Sequence, residues 1–178
     1  PIGWISSLST DGVANLAPYS FFNAVSGAPP FVMFSSAGRK DSQTNIETTG
    51  EFVVNMAVAE LNDALNTTSA AFAPDVDEFD RAGLEKAPCK NVAVPRVAAS
   101  PVALECILNR VVPLTARDGT KVRSEVIFGE VVGIHIADEV IVDGLLDISR
   151  IRPMSRLGYM DYAIVDEVFS MARPTSAK

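Results

Sequence analysis

The run Lys121–Ile136 constrains the fold of this chain more than any other feature. It is β-rich throughout, yet two glycines, Gly129 and Gly133, fall inside it. Glycine within a strand marks a bulge, a bend or a close approach of another group, as a strand curving into a barrel requires. A second β-rich run, Val102–Leu114, precedes it. Between the two, Asp118-Gly119 supplies a turn, because Asp bonds its own backbone and Gly adopts positive φ. The pair reads as an antiparallel hairpin with bends built into one arm.

The N-terminal part repeats the logic. Ile2–Ser9 is β-rich, Thr10-Asp-Gly12 is a turn, and Val13–Ala17 returns as the second strand. Phe31–Phe34 and Glu51–Met56 read as short buried strands. Between them Asp41–Thr49 is a helix, with Asp41 or Ser42 as N-cap and Gly50 placed to end it. Ala59–Ala71 and Val76–Ala82 read as two further helices, Gly83–Pro101 as a surface loop, and Glu139–Val142 and Ala163–Phe169 as the last strands. Two β blocks separated by a helical insert favour a mainly β, antiparallel barrel with added helices over a doubly wound parallel sheet. Neither GxGxxG nor GxxxxGK[ST] occurs, so any nucleotide-like ligand must be held by other means.

Length and composition suit one domain over residues 1–178, with 48% hydrophobic and 21% charged residues, enough to bury a core. The net charge of −7 argues against a general nucleic-acid binder, since phosphate backbones are held by Lys and Arg clusters. No run is long and apolar enough for a membrane helix, and no basic-then-apolar leader opens the chain, so a cytoplasmic location is expected. Two cysteines, Cys89 and Cys106, and a single histidine, His135, leave no material for a disulfide framework, a four-thiolate zinc site or a paired-histidine metal site. His135 lies in a β-like run and reads as a strand residue facing solvent or a neighbour. No metal site is expected.

Residues 1–38 contain one charged side chain, Asp11, but many Ser, Asn, Pro and aromatic residues. Arg39 and Lys40 follow at the start of a helix. Free N–H groups and the positive dipole end make such a start an anion site, and adjacent cations deepen it. Taken alone, the two cations read first as solvated loop charges. Asn15–Asn23 offers amides, hydroxyls, main-chain groups and aromatic walls, a lining for a flat heterocycle, although its phenylalanines also suit an ordinary core. Together the two segments suggest a ligand planar at one end and anionic at the other.

These residues also carry a family resemblance. Pro1-Ile-Gly-Trp-Ile-Ser6, Asn15-Leu-Ala-Pro-Tyr-Ser-Phe-Phe-Asn-Ala-Val-Ser26, Pro29-Pro30, Arg39-Lys-Asp-Ser-Gln-Thr-Asn-Ile46 and Gly50-Glu-Phe-Val-Val-Asn55 resemble the flavin reductase-like, FMN-binding split-barrel family. Ser100-Pro-Val-Ala-Leu-Glu105, Gly129-Glu-Val-Val-Gly133 and Arg156-Leu-Gly-Tyr-Met-Asp-Tyr162 extend the similarity over nearly the whole chain.

The resemblance implies a six-stranded antiparallel split barrel, a homodimer, and one FMN per subunit at or near the interface. By similarity Asn15, Ala17, Pro18, Tyr19, Ser20, Phe21 and Phe22 would line the isoalloxazine and ribityl chain. Ser35, Ser36, Arg39, Lys40, Asp41 and Thr44 would surround the phosphate. Relatives often read Arg-Leu-Gly-Gly where this chain has Arg156-Leu-Gly-Tyr159, so Tyr159 is expected either over the flavin, narrowing the approach of a second substrate, or pointing to solvent or into the dimer interface. The activity implied is an NAD(P)H-dependent flavin reductase, with NADH or NADPH as donor and free flavin, oxygen or a partner oxygenase as acceptor. No side chain need act as acid or base, because hydride passes directly between the two ring systems. An FMN-bound electron carrier without pyridine-nucleotide activity, and a non-redox barrel binding another apolar anion, are the alternatives.

Overall fold

The computed structural model describes residues 1–174. In chain order its elements are β1 (Gly3–Leu8), β2 (Ala14–Tyr19), β3 (Phe22–Gly27), β4 (Pro30–Ala37), α1 (Asp41–Thr49) and β5 (Glu51–Met56). There follow α2 (Asn62–Thr67), α3 (Glu78–Arg81), the small pair β6 (Lys86–Ala87) and β7 (Arg96–Val97), and the long strands β8 (Val102–Thr115) and β9 (Lys121–Ile136). The C-terminal part holds β10 (Ile141–Val142), β11 (Leu145–Leu146), α4 (Ile148–Ile151), β12 (Met154–Arg156) and β13 (Tyr162–Ile164).

Seven strands form one antiparallel sheet in the order β2-β1-β5-β8-β9-β4-β3. This is the mainly β, split-barrel architecture the sequence implies, with one strand more than the expected six. The addition is β3, an edge strand whose side chains are exposed apart from half-buried Phe22. It therefore shows no buried periodicity to read, and its pairing with β4 holds it in place.

The barrel interior contains Ile5, Tyr19, Val32, Phe34, Ile46, Phe52, Val54, Cys106 and Ile127. Both glycines of β9 sit at close approaches. The Phe52 ring occupies the space a Cβ at Gly129 would need, and Asn91 and Glu105 fill it at Gly133. The β8–β9 ladder shifts register at the same places, between Glu105 and Cys106 and between Leu108 and Arg110. Bulge and glycine together let the long hairpin curve over the core. On the outer face of β1 and β2 a second cluster, centred on fully buried Trp4, Leu16 and Phe79, packs against α2 and α3.

Local corrections follow from caps. The N-cap of α1 is Lys40, in extended conformation, and neither Asp41 nor Ser42, because the Ser42 side chain is drawn inward to Asn15. Gly50 does end the helix, at φ 78°. The second helix is a 3-10 turn, Ala59–Leu61, running into the short α2. The third begins at Glu78 because the Asp77 carboxylate caps it, accepting from the N–H of Phe79 at 3.0 Å. The surface loop carries the β6–β7 pair, Glu139 lies in a 3-10 turn, and the last strand stops at Ile164. No helix among the described residues is long and apolar enough to cross a membrane.

Candidate functional site

The sheet ends at β2 and β3 are consecutive in the chain, separated by Ser20 and Phe21. Among the described residues no ladder joins them or pairs the outer side of β2, which keeps a free edge there. Leu16 directs its N–H outward along this edge, where Glu78 Oε2 accepts it at 3.1 Å. Pro18, two residues on, has the same orientation, and its missing N–H removes no ladder bond.

A cleft of about 320 Å³ opens along that edge. Asn15, Ala17, Pro18 and Tyr19 form one wall, residues 39–42 close one end, and Thr68–Phe72, Pro74 and Glu78 form the far wall. At the closed end α1 starts without a side-chain cap. Its first internal bond is Thr44 N–H to the Lys40 carbonyl, at 3.0 Å. The N–H groups of Asp41, Ser42 and Gln43 are thus left to an external acceptor. Lys40 lies with its Nζ 5.9 Å from the Tyr19 ring centroid and makes no ion pair among the described residues. Arg39 reaches the same cleft but is paired with Glu47 of α1.

The floor is a buried polar network. Asn15 lies 2.8 Å from the Ser42 hydroxyl; with its oxygen turned to Ser42, its nitrogen reaches Glu78 Oε1 at 3.3 Å. The Tyr19 hydroxyl is buried without a hydrogen-bond partner among the described residues. Burial pushes this phenol above its ordinary range, and Asp41 and Glu78 act in the same direction. Burial likewise raises the Glu78 carboxyl, with Asp41 and Asp77 adding to the shift against the Leu16 N–H.

At Pro18 and Ser69 the cleft meets a second hollow of about 340 Å³, which also takes in Ser20, Asn66, Arg156, Met160 and Tyr162. Arg156 lies over the Tyr162 ring, 4.8 Å from its centroid, and donates to the Tyr162 hydroxyl at 2.9 Å. It also donates to the Tyr159 carbonyl, which shapes the turn between β12 and β13.

Of the residues expected at the site, Asn15, Ala17, Pro18, Tyr19, Arg39, Lys40 and Asp41 come together in the cleft, and Ser20 joins through the second hollow. The others stand apart. Ser36 is buried and donates to the Gly38 carbonyl, while Ser35 pairs its N–H with the Phe21 carbonyl. Thr44 is exposed on α1, and Phe21 is 72% exposed. Phe22 lines a separate apolar groove with Ile2, Val54 and Leu104. Tyr159 is 95% exposed at positive φ, so within this chain its ring does not cover the cleft. The far wall, Thr68–Phe72 and Glu78, was not anticipated, because no local motif links it to a strand some fifty residues earlier.

Elsewhere, His135 pairs with Ala103 in the β8–β9 ladder, and burial followed by the nearby Arg96 charge lowers its pKa. Burial pushes the Cys89 thiol up to about 11 and Cys106 higher still, so neither is a ready nucleophile.

The chain belongs to the flavin reductase-like domain family, whose model matches residues 1–153. It is 39% identical to an uncharacterized protein of Aquifex aeolicus over 164 residues, covering 89% of this chain and 80% of that protein. Nitrilotriacetate monooxygenase component B from Bacillus cereus superposes with a TM-score of 0.88 at 32% identity, over 96% of this chain and 86% of that one. The Pseudomonas fluorescens 2-nitrobenzoate 2-nitroreductase NbaA superposes with a TM-score of 0.85 at 27% identity, over 100% and 86%.

Proposed function

We propose that this protein is an FMN-binding oxidoreductase that takes electrons from NADH or NADPH and passes them to free flavin, oxygen or a partner oxygenase. The observation that carries the reading is the continuity of the cleft along the β2 edge. One end presents the uncapped start of α1 with Lys40, and the other opens into the hollow of Ser20, Arg156 and Tyr162. The donor set suits a phosphorylated flavin: outward N–H groups and an ammonium for a phosphate, and an aromatic, partly polar hollow for a ring system. In this reading Lys40 and α1 hold the phosphate, Asn15, Ala17, Pro18 and Tyr19 border the ribityl chain, and Ser20 with Arg156 flanks the ring. Bound FMN supplies the hydride-accepting and electron-donating chemistry. The protein's part is to hold and orient, and no side chain is assigned as acid or base.

Two copies are proposed to associate around the open hollow. Phe21, Leu157, Met160, Phe169 and Met171 are each more than half exposed, apolar side chains that a second copy would cover. Sedimentation should report a dimer at micromolar concentration.

The functional test is anaerobic mixing of the FMN-loaded protein with NADH and, separately, NADPH, following flavin bleaching. Rapid bleaching by either donor supports the reductase. A flavin that stays oxidised with both would leave an electron carrier, and failure to bind flavin would remove the reading altogether.

A further inference from the structure

Glu78 is the buried carboxylate of the cleft, and an anionic ligand should disfavour its charge. It projects from the start of α3 into the wall opposite β2 and is 5% exposed. One carboxylate oxygen holds the Leu16 N–H, and the other has the Asn15 amide as its neighbour. Asn15 in turn contacts Ser42, in the first turn of α1, so Glu78 borders the anion end of the cleft.

The charged and titratable groups around it leave its charge largely uncompensated. Asp41 faces it from α1, Asp77 from the cap of its own helix, and the Tyr19 phenol from β2. Lys86, a cation on the α3 side, is taken up by Asp77 at 2.6 Å and Asp80 at 3.2 Å. Arg39 is committed to Glu47, which leaves Lys40 to offset both the carboxylates and an incoming anion. A phosphate at this end adds like charge beside a buried carboxylate, and proton uptake by the carboxylate relieves the repulsion.

We propose that Glu78 takes up a proton when an anion occupies the α1 end of the cleft, so that affinity for phosphorylated ligands depends on the charge of this carboxyl. The proton comes from solvent and no other bond changes. The proposal rests on the FMN reading for the identity of the ligand, not for the coupling itself. It makes Glu78 a regulator of ligand retention: acidification tightens the hold and alkaline pH loosens it, apart from the phosphate's own titration.

The test compares Glu78→Gln with wild type, since Gln keeps an oxygen for the Leu16 N–H and removes only the charge. At pH 8 the variant should bind FMN about three- to tenfold more tightly than wild type, with the ratio approaching one as the pH falls and the wild-type carboxyl becomes protonated. Riboflavin, which lacks the phosphate, should show a ratio near one throughout. Calorimetry of FMN binding in two buffers of different ionisation enthalpy should show wild type taking up more protons than the variant, by at most one. Equal weakening of FMN and riboflavin by Glu78→Gln would overturn the proposal and leave Glu78 as a tie to β2 alone. If wild type bound neither flavin, the FMN reading would fail, and the same calorimetry with inorganic phosphate would decide the coupling: no excess proton uptake in wild type overturns it.

Discussion

The indole Nε1 of Trp4 donates to the Thr68 hydroxyl at 2.9 Å, a buried bond between residues 64 positions apart. Trp4 is fully buried on the outer face of β1, and Thr68 begins the far wall of the cleft. The Thr68 hydroxyl also donates to the Leu65 carbonyl at 3.0 Å, ending α2 where the wall begins. A single core side chain thus ties the irregular segment after α2 to the barrel.

Thr68→Val should therefore act on both stability and binding. Leaving the indole N–H without its acceptor should lower the unfolding free energy by about 1–3 kcal/mol. Flavin affinity should fall several-fold as the wall loosens. Denaturant unfolding together with fluorescence titration measures both, and a variant as stable as wild type would show that the bond contributes nothing net.

Lys40 and Arg39 should separate, although they are neighbours in sequence. Lys40→Met should weaken FMN binding by about tenfold or more, the equivalent of one charge-assisted hydrogen bond. Riboflavin binding should hardly change. Arg39→Met should cost less, because its guanidinium is engaged by Glu47. The reverse order in titrations of the two variants would place the phosphate away from the start of α1.

Glu105 predicts an acid-dependent loss of stability. It is buried in β8, and its carboxylate accepts the backbone N–H of Lys90 at 3.1 Å and of Asn91 at 2.5 Å. Burial penalises its charge, but these bonds and that from Val92 outweigh the penalty and hold the carboxyl below its usual range. A depressed carboxyl contributes stability that is complete above its unfolded pKa and is lost as the pH falls through the folded one. Glu105→Gln should thus lower Tm at pH 7, with the gap to wild type closing below about pH 4. Thermal melts across pH 3–8 check this, and a constant gap would contradict it.

Gly129→Ala should destabilise by about 1–3 kcal/mol, the usual cost of overpacking. The added methyl meets the Phe52 ring at the centre of the barrel. Phe52→Leu in the same background should recover part of the loss, which a double-mutant cycle would quantify.

Tyr159→Gly should leave FMN affinity and the rate of flavin reduction unchanged, because the ring stands in solvent. The Arg156 bond goes to its main chain and survives the change. Positive φ suits glycine, so stability should stay within about 1 kcal/mol of wild type. A faster reduction would mean that the ring does obstruct the flavin, in an arrangement that a second subunit completes.

What the sequence disclosed was local or periodic. The hairpin of Lys121–Ile136 with its two glycines, the turn at Asp118-Gly119 and the stop at Gly50 each depend on neighbouring residues, and each is found. The half of the cleft built from Asn15–Tyr19 and Arg39–Asp41 was legible for the same reason. Glu78 and Thr68 were not, since they reach the cleft through contacts with Leu16 and Trp4 that no short-range pattern encodes. Strand β3 escaped because an exposed edge strand leaves no buried periodicity, and Ser36 because its inward turn toward Gly38 shows only in three dimensions.

The free edge of β2 has a consequence beyond ligand binding. An unpaired strand edge is ordinarily a template on which a strand of another molecule can grow, the first step toward aggregation. Here Glu78 already engages the Leu16 N–H, and Pro18 has no N–H to offer, so two successive outward positions cannot propagate a ladder. The segment that borders the open cleft is thereby also guarded against indiscriminate edge-to-edge growth.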